Sequence, residues 1–253
     1  MISERAFAAG FGSFWSELLP MLTPGFVALF NAAFEISLRD EFGQELSSLP
    51  LAGGIERPDI VAEFGFRAAR LAHIRNLPVT SVRFDSALSA SAELDAFELI
   101  NIYEGARPTE VAPLSEVELL DGVALCERYA ALYAVFPAEA RIEFCPTFPG
   151  AGFLNTCEGD IRIGDTLIEV KTTKHKPLGK DIRQLIVYLA LDANAGRDRW
   201  SYMGIFNPRR GTIHRAEIDT LILRLSGGRP RADVFAELIS AAESNEVLIE
   251  SKF

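Results

Sequence analysis

Asp160, Glu169 and Lys171 stand in the pattern G-D-x8-E-x-K, and Gln184-x-x-x-Tyr188 follows at helical spacing. Two carboxylates and one ammonium are the side chains that phosphodiester hydrolysis needs, because negative charge builds on the phosphorus centre while a nucleophile is made from water. Carboxylate oxygens are hard ligands, and a pair of them suits a Mg2+ or Mn2+ ion that keeps several waters. Such an ion supplies Lewis acidity to water and to the scissile phosphate. Lys171 is placed to orient or deprotonate the attacking water, or to donate charge to the phosphate, since a lysine pKa moves readily in a partly desolvated site. The main-chain carbonyl of Val170, between Glu169 and Lys171, is a further candidate ligand.

These residues must be positioned by a hairpin and a helix. The text from Cys157 to Thr173 reads as a strand, a Gly164-Asp165 turn and a second strand ending Glu-Val-Lys-Thr-Thr. Alternation along the second strand puts Glu169 and Lys171 on one face and Ile168 and Val170 on the other. Pairing across the turn then brings Asp160 opposite the Glu169 region. A helix starting near Lys180 carries Gln184 and Tyr188 one turn apart on one face. Tyr188 also lies in an apolar run with Leu185, Ile186, Val187 and Leu189, so the same residue fits a helical core.

The ordered set Gly-Asp, Glu-x-Lys and Gln-x-x-x-Tyr resembles the PD-(D/E)XK nuclease superfamily, and the Gln and Tyr make it similar to the RecB-like exonuclease branch, over roughly residues 115–207. The resemblance implies an α/β fold with a restriction-endonuclease-like core, a mixed central sheet flanked by helices, in the order helix, three-stranded meander, helix, strand. It further implies that Asp160 and Glu169 bind metal, that Lys171 assists hydrolysis, and that Gln184 and Tyr188 lie beside the active site and the nucleic-acid strand. Gly159 stands where the name-giving proline would be. Some members of the branch hold an iron–sulfur cluster through four cysteines, whereas this chain has only Cys126, Cys145 and Cys157. A third carboxylate often comes from the helix before the meander. Residues 115–133 read as that helix, with Ser115 and Glu118 as a capping box, and Glu127 is the candidate; it fits an exposed helical glutamate equally well.

Charge patterning points to the same region. Lysine occurs only at 171, 174, 176, 180 and 252, so Lys174, Lys176 and Lys180, with His175 and Arg183, form a basic stretch suited to phosphates. Arg209 and Arg210 mark a turn between strands at 201–206 and 212–218, as turn residues or as DNA contacts. Residues 1–110 contain no lysine and carry 8 Arg against 15 Asp and Glu, which argues against a nucleic-acid face there. Phe7, Phe11, Phe14, Trp15 and Leu18 repeat at helical spacing. Val79–Phe84 resembles a strand, and residues 93–103 fit helix or strand.

The remaining signals bound the reading. The chain has 253 residues, a net charge of −10 and 49% hydrophobic residues, enough for one large or two small domains. The Pro-rich stretch around 105–113 divides an N-terminal, mainly helical, aromatic-rich region (1–110) from a nuclease-like domain (111–253). No apolar stretch reaches membrane-spanning length, three scattered cysteines fit a reducing compartment, and the expected location is cytoplasmic. No P-loop is present, so no nucleotide cofactor is expected; His73 and His214 lack zinc-ligand spacing. The expected function is a Mg2+- or Mn2+-dependent nuclease acting on DNA, or on RNA, in repair or anti-phage defence. Its acidity calls for a protein partner or homo-oligomer to supply binding surface. The alternative is a catalytically silent nuclease-fold scaffold that docks through its aromatic N-terminal region.

Overall fold

Alternating apolar side chains along six short strands feed two cores, one on each face of a single mixed sheet. The structure, a computed structural model, describes residues 1–104 and 112–244. In chain order the elements are α1 (Glu4–Ala9), α2 (Gly12–Leu18), α3 (Pro24–Ala33), β1 (Glu35–Ser37), α4 (Pro58–Ile74), a 3-10 turn (Val79–Arg83), α5 (Ser86–Glu104), α6 (Glu116–Tyr133), β2 (Ile142–Phe144), β3 (Thr147–Phe148), β4 (Cys157–Glu158), β5 (Ile161–Ile163), β6 (Thr166–Val170), α7 (Gly179–Asn194), β7 (Tyr202–Asn207), β8 (Thr212–Glu217), α8 (Ile218–Leu225) and α9 (Arg231–Ser244). The sheet runs β1-β8-β7-β6-β5-β2, and β3 pairs with β4 apart from it. β6 and β7 are parallel because α7 crosses over between them; the other neighbours are antiparallel. The protein is therefore α/β, with a mixed six-stranded sheet flanked by helices.

The described part of the N-terminal region, residues 1–104, does not form a separate core. β1 extends the sheet by pairing with β8. Phe7, Trp15, Leu18 and Phe30 are buried with α7, α8 and α9 on one face, while Phe64, Ala68 and Leu88 are buried with α6 on the other. The region is mainly helical as expected, yet both of its halves are layers of the shared architecture. The expected break at 105–113 falls mostly outside the described residues.

Local signals mostly hold. Ser115 and Glu118 form the capping box at α6, and the carboxylate of Glu118 also binds Arg57, which pushes it down to about 2. The aromatic repeat at residues 7–18 is two helices, because Phe11 takes a left-handed φ of 55° that ends the first turn and starts the second. Residues 79–83 are a 3-10 turn rather than a strand. Val79 and Val82 are both buried, which a three-residue repeat permits and a strand's alternation does not. The ambiguous 93–103 segment lies within α5. Among the described residues no helix is long and apolar enough to cross a membrane.

Candidate active site

The site grows from the β5–β6 hairpin. Gly164, at φ 60°, makes the tight turn, and Ile161 pairs with Ile168, so continuing the register places Asp160 opposite Glu169. Asp160 is held there by its own strand partner: its Oδ2 accepts the Val170 N–H at 2.6 Å. Gly159 just before it donates its N–H to the Pro146 carbonyl at 2.9 Å, a bond that a proline has no hydrogen to make. Glycine at that position thus serves the local backbone.

Alternation distributes β6 as expected. Ile168 and Val170 belong to the α4–α6 side, and Glu169 points to the α7 side, where it is fully buried. One carboxylate oxygen, Oε1, accepts from Lys171 Nζ at 2.8 Å and lies 3.7 Å from the Arg5 guanidinium. The other, Oε2, is buried with no hydrogen-bond partner. A buried unsatisfied carboxylate oxygen is costly and is concentrated where function demands it.

A chain of polar contacts continues from Lys171 across α7. Lys171 Nζ also donates to Gln184 Oε1 at 2.9 Å, Gln184 Nε2 donates to Tyr188 Oη at 2.9 Å, and Tyr188 donates to Glu4 Oε1 at 3.2 Å. Gln184 fixes the ammonium with its oxygen because its nitrogen is engaged by the tyrosine and by Glu4. Tyr188 is both core and site: its ring stacks on Phe148 with centroids 4.9 Å apart, and burial raises its phenol far above the ordinary value. For Asp160, burial first and the neighbouring Glu169 charge second push the carboxyl up to about 8, against the Val170 N–H, Arg5 and Lys171.

Two cavities meet at Lys171. One, of about 370 Å3, is lined by Arg5, His175, Lys176, Lys180, Gln184 and Asn207 among others, and lies within the range of small-ligand sites. The other, of about 340 Å3, is lined by Asp59, Glu63, Arg67, Glu158, Asp160 and Val170 among others. Arg5, Lys171 and Thr173 border both.

Not every expected residue arrives. Glu127 is turned to the 3-10 turn, where both its oxygens bind Arg83 at 2.7 Å, and it lines neither cavity. The carboxylates that the helical layer brings to the Asp160 cavity are Asp59 and Glu63 of α4, the latter paired with Arg67 at 2.6 Å. Arg183 lies over the Trp15 ring, 5.7 Å from its centroid, away from both cavities. Arg209 is buried and binds both oxygens of Asp121, at 3.1 and 2.6 Å, so it is a structural ion pair rather than a nucleic-acid contact. Arg210 is turned inward toward Glu35 and the Lys174 carbonyl. Lys174, His175, Lys176 and Lys180 are exposed, with Lys176 tied to Glu35 at 3.1 Å.

Sequence reasoning missed Glu4, Arg5, Asp59, Glu63, Arg67 and Glu158. Glu63 and Arg67 carried only the i,i+4 signature of a helical ion pair. Glu4 and Arg5 had no local signal at all, because α1 reaches the site only by packing on α7.

Asp160, Glu169 and the Val170 carbonyl fit a divalent ion in donor chemistry: two carboxylates, one of them with an orphaned buried oxygen, and the carbonyl of a residue that lines the Asp160 cavity, although Glu169 itself lines neither cavity. Among the described residues no group of three or more His, Cys, Asp or Glu side chains is disposed to hold a metal, so such an ion would draw its remaining ligands from water and substrate. Comparison with protein-family models, with curated proteins and with solved structures gives no match.

Proposed function

We propose that this chain is a Mg2+- or Mn2+-dependent nuclease with a restriction-endonuclease-like core, acting on DNA. One observation carries the reading: the buried, unpartnered Oε2 of Glu169, beside Asp160 on the paired strand and Lys171 two residues on. An unsatisfied buried carboxylate oxygen calls for an explanation, and a bound cation is one that fits a site with a second carboxylate beside it. The order α6, antiparallel β2, β5 and β6, then α7 and parallel β7 supports the fold assignment.

Asp160, Glu169 and the Val170 carbonyl would hold the ion, which would supply Lewis acidity toward the phosphate and toward water. Lys171 is oriented by Glu169 and Gln184, which engage two of its three protons and leave the third for the attacking water. Tyr188 and Glu4 keep Gln184 in that orientation. The exposed lysines at 174 and 180 extend the cationic side of the site for the backbone of the substrate. An acidic chain with one basic region binds DNA weakly by itself, so a protein partner or a second copy contributes binding surface, in repair or in defence against phage.

The test is cleavage of linear, circular, single- and double-stranded DNA and of RNA with Mg2+ or Mn2+, by wild type beside Asp160→Ala and Lys171→Ala. Loss of cleavage in both variants is expected. Equal cleavage by all three overturns the site, and absence of cleavage by wild type, with RNA and DNA alike, favours the silent scaffold.

A further inference from the structure

We infer that Arg5, delivered by the N-terminal helix, is the residue that grips the substrate phosphate at the junction of the two cavities. The inference rests on the nuclease reading and adds to it a residue 164 positions away from Glu169.

Arg5 differs from several other arginines of the protein. Arg57, Arg67, Arg83, Arg128, Arg209 and Arg231 each donate hydrogen bonds to carboxylates or carbonyls. Arg5 donates none among the described residues: its closest acidic neighbours are Glu4 Oε1 and Glu169 Oε1, both at 3.7 Å. That is attraction without commitment of the planar N–H fork, and the side chain keeps 60% of its surface open. It borders both cavities, as Lys171 does.

Charge bookkeeping assigns it a task that Lys171 cannot fill. Two of the three Lys171 protons are engaged by Glu169 and Gln184, and the compact ammonium serves one further contact. A transferring phosphate spreads charge over several oxygens, which a guanidinium matches with two parallel N–H bonds. Arg5 is the guanidinium that borders both cavities, and among the described residues its fork is committed to no hydrogen bond. Its backbone is fixed: Ser3 caps α1, the Ile2 N–H donates to the Phe153 carbonyl at 2.8 Å, and Phe7 is buried in the core beneath. The side chain is therefore presented from a rigid base, as a positioned phosphate clamp requires.

The experiment separates a phosphate contact from a structural role. Fluorescence anisotropy with a labelled DNA oligonucleotide is measured over a salt series in the full-length Asp160→Asn protein and in the same protein with Arg5→Ala or Arg5→Lys. Loss of one phosphate contact lowers the slope of log K against log salt by about one. Arg5→Ala is expected to show that change and Arg5→Lys to restore it, because the lysine keeps the charge. In the protein that keeps Asp160, Arg5→Ala is expected to slow cleavage about 10²- to 10³-fold, the usual loss for one donor to a developing charge, and Arg5→Lys to recover part of it. An unchanged salt slope, together with cleavage that still depends on Asp160, overturns the role of Arg5 and leaves the nuclease intact. No nucleic-acid binding and no cleavage by any protein of the set overturns the nuclease reading and this inference with it.

Discussion

Glu169→Gln separates a ligand from a structural ion pair, because the two roles predict opposite effects on stability. The substitution keeps shape and keeps an oxygen to accept from Lys171, now as a neutral rather than a charged acceptor. Weakening that 2.8 Å bond costs about 1 kcal/mol, since charge-assisted bonds are roughly twice as strong as neutral ones. Against this, the native carboxylate buries Oε2 with no partner, a penalty of about 1–3 kcal/mol that a neutral amide beside the Asp160 carboxyl reduces. The net change is about 0–2 kcal/mol in favour of the variant, and a protein of this size gains roughly 2–4 °C in Tm per kcal/mol. In EDTA the variant is therefore expected to melt at or a few degrees above wild type. Addition of Mg2+ at about 100 times its Kd stabilises wild type by about 2.7 kcal/mol through linkage, and the variant should not respond. Thermal unfolding followed by circular dichroism, with and without metal, measures both numbers. A loss of more than about 2 kcal/mol in EDTA, with an equal Mg2+ response in both proteins, refutes the reasoning: Glu169 would then be a core ion pair with Lys171 and Arg5.

The protonation of Asp160 gives a pH signature. Its folded value is raised, so its contribution to the stability of the metal-free protein is complete below about pH 4 and is lost as pH rises through about 8. Melting temperatures between pH 5 and pH 9 should fall more for wild type than for Asp160→Asn, and metal affinity by calorimetry should rise over the same window. Removing Lys174 and Lys180 together should weaken DNA binding several-fold and lower the salt slope by up to two, with the Tm unchanged because both side chains are exposed. Arg209→Ala should do the reverse: it leaves Asp121 buried and unpaired, costing about 3–5 kcal/mol in a urea titration, while the salt slope of DNA binding stays as in wild type.

What was legible in the sequence was short in range. The face shared by Glu169 and Lys171, the turn at Gly164-Asp165, the capping box at Ser115 and the Gln184–Tyr188 spacing follow from periods of two and of three to four residues, and each is where the sequence placed it. What failed depended on how helices cross. α4 and α6 meet at Gly65 and Gly122, where a Cβ on Gly122 would sit 2.4 Å from Phe64 and one on Gly65 would sit 3.1 Å from Leu125. That contact sets the rotation of both helices, turning Glu63 toward Asp160 and Glu127 toward Arg83. The sequence pattern pointed to Glu127 alone, because nothing local shows how α4 and α6 cross.

The same distinction governs the charge argument. Counting lysines located the exposed stretch after Val170, because exposed cations are free to meet an anion wherever the backbone leads. Arginine counts misled in both directions. Arg209 sits in a basic dipeptide at a hairpin tip, but Asp121, 88 residues away, claims its fork. Arg5 sits in a region with excess acid, but its chain neighbour Glu4 leans into the Tyr188–Gln184 network. The regional charge of a segment therefore says little about a single guanidinium; what decides its availability is whether the fold completes its hydrogen bonds, and at Arg5 it does not.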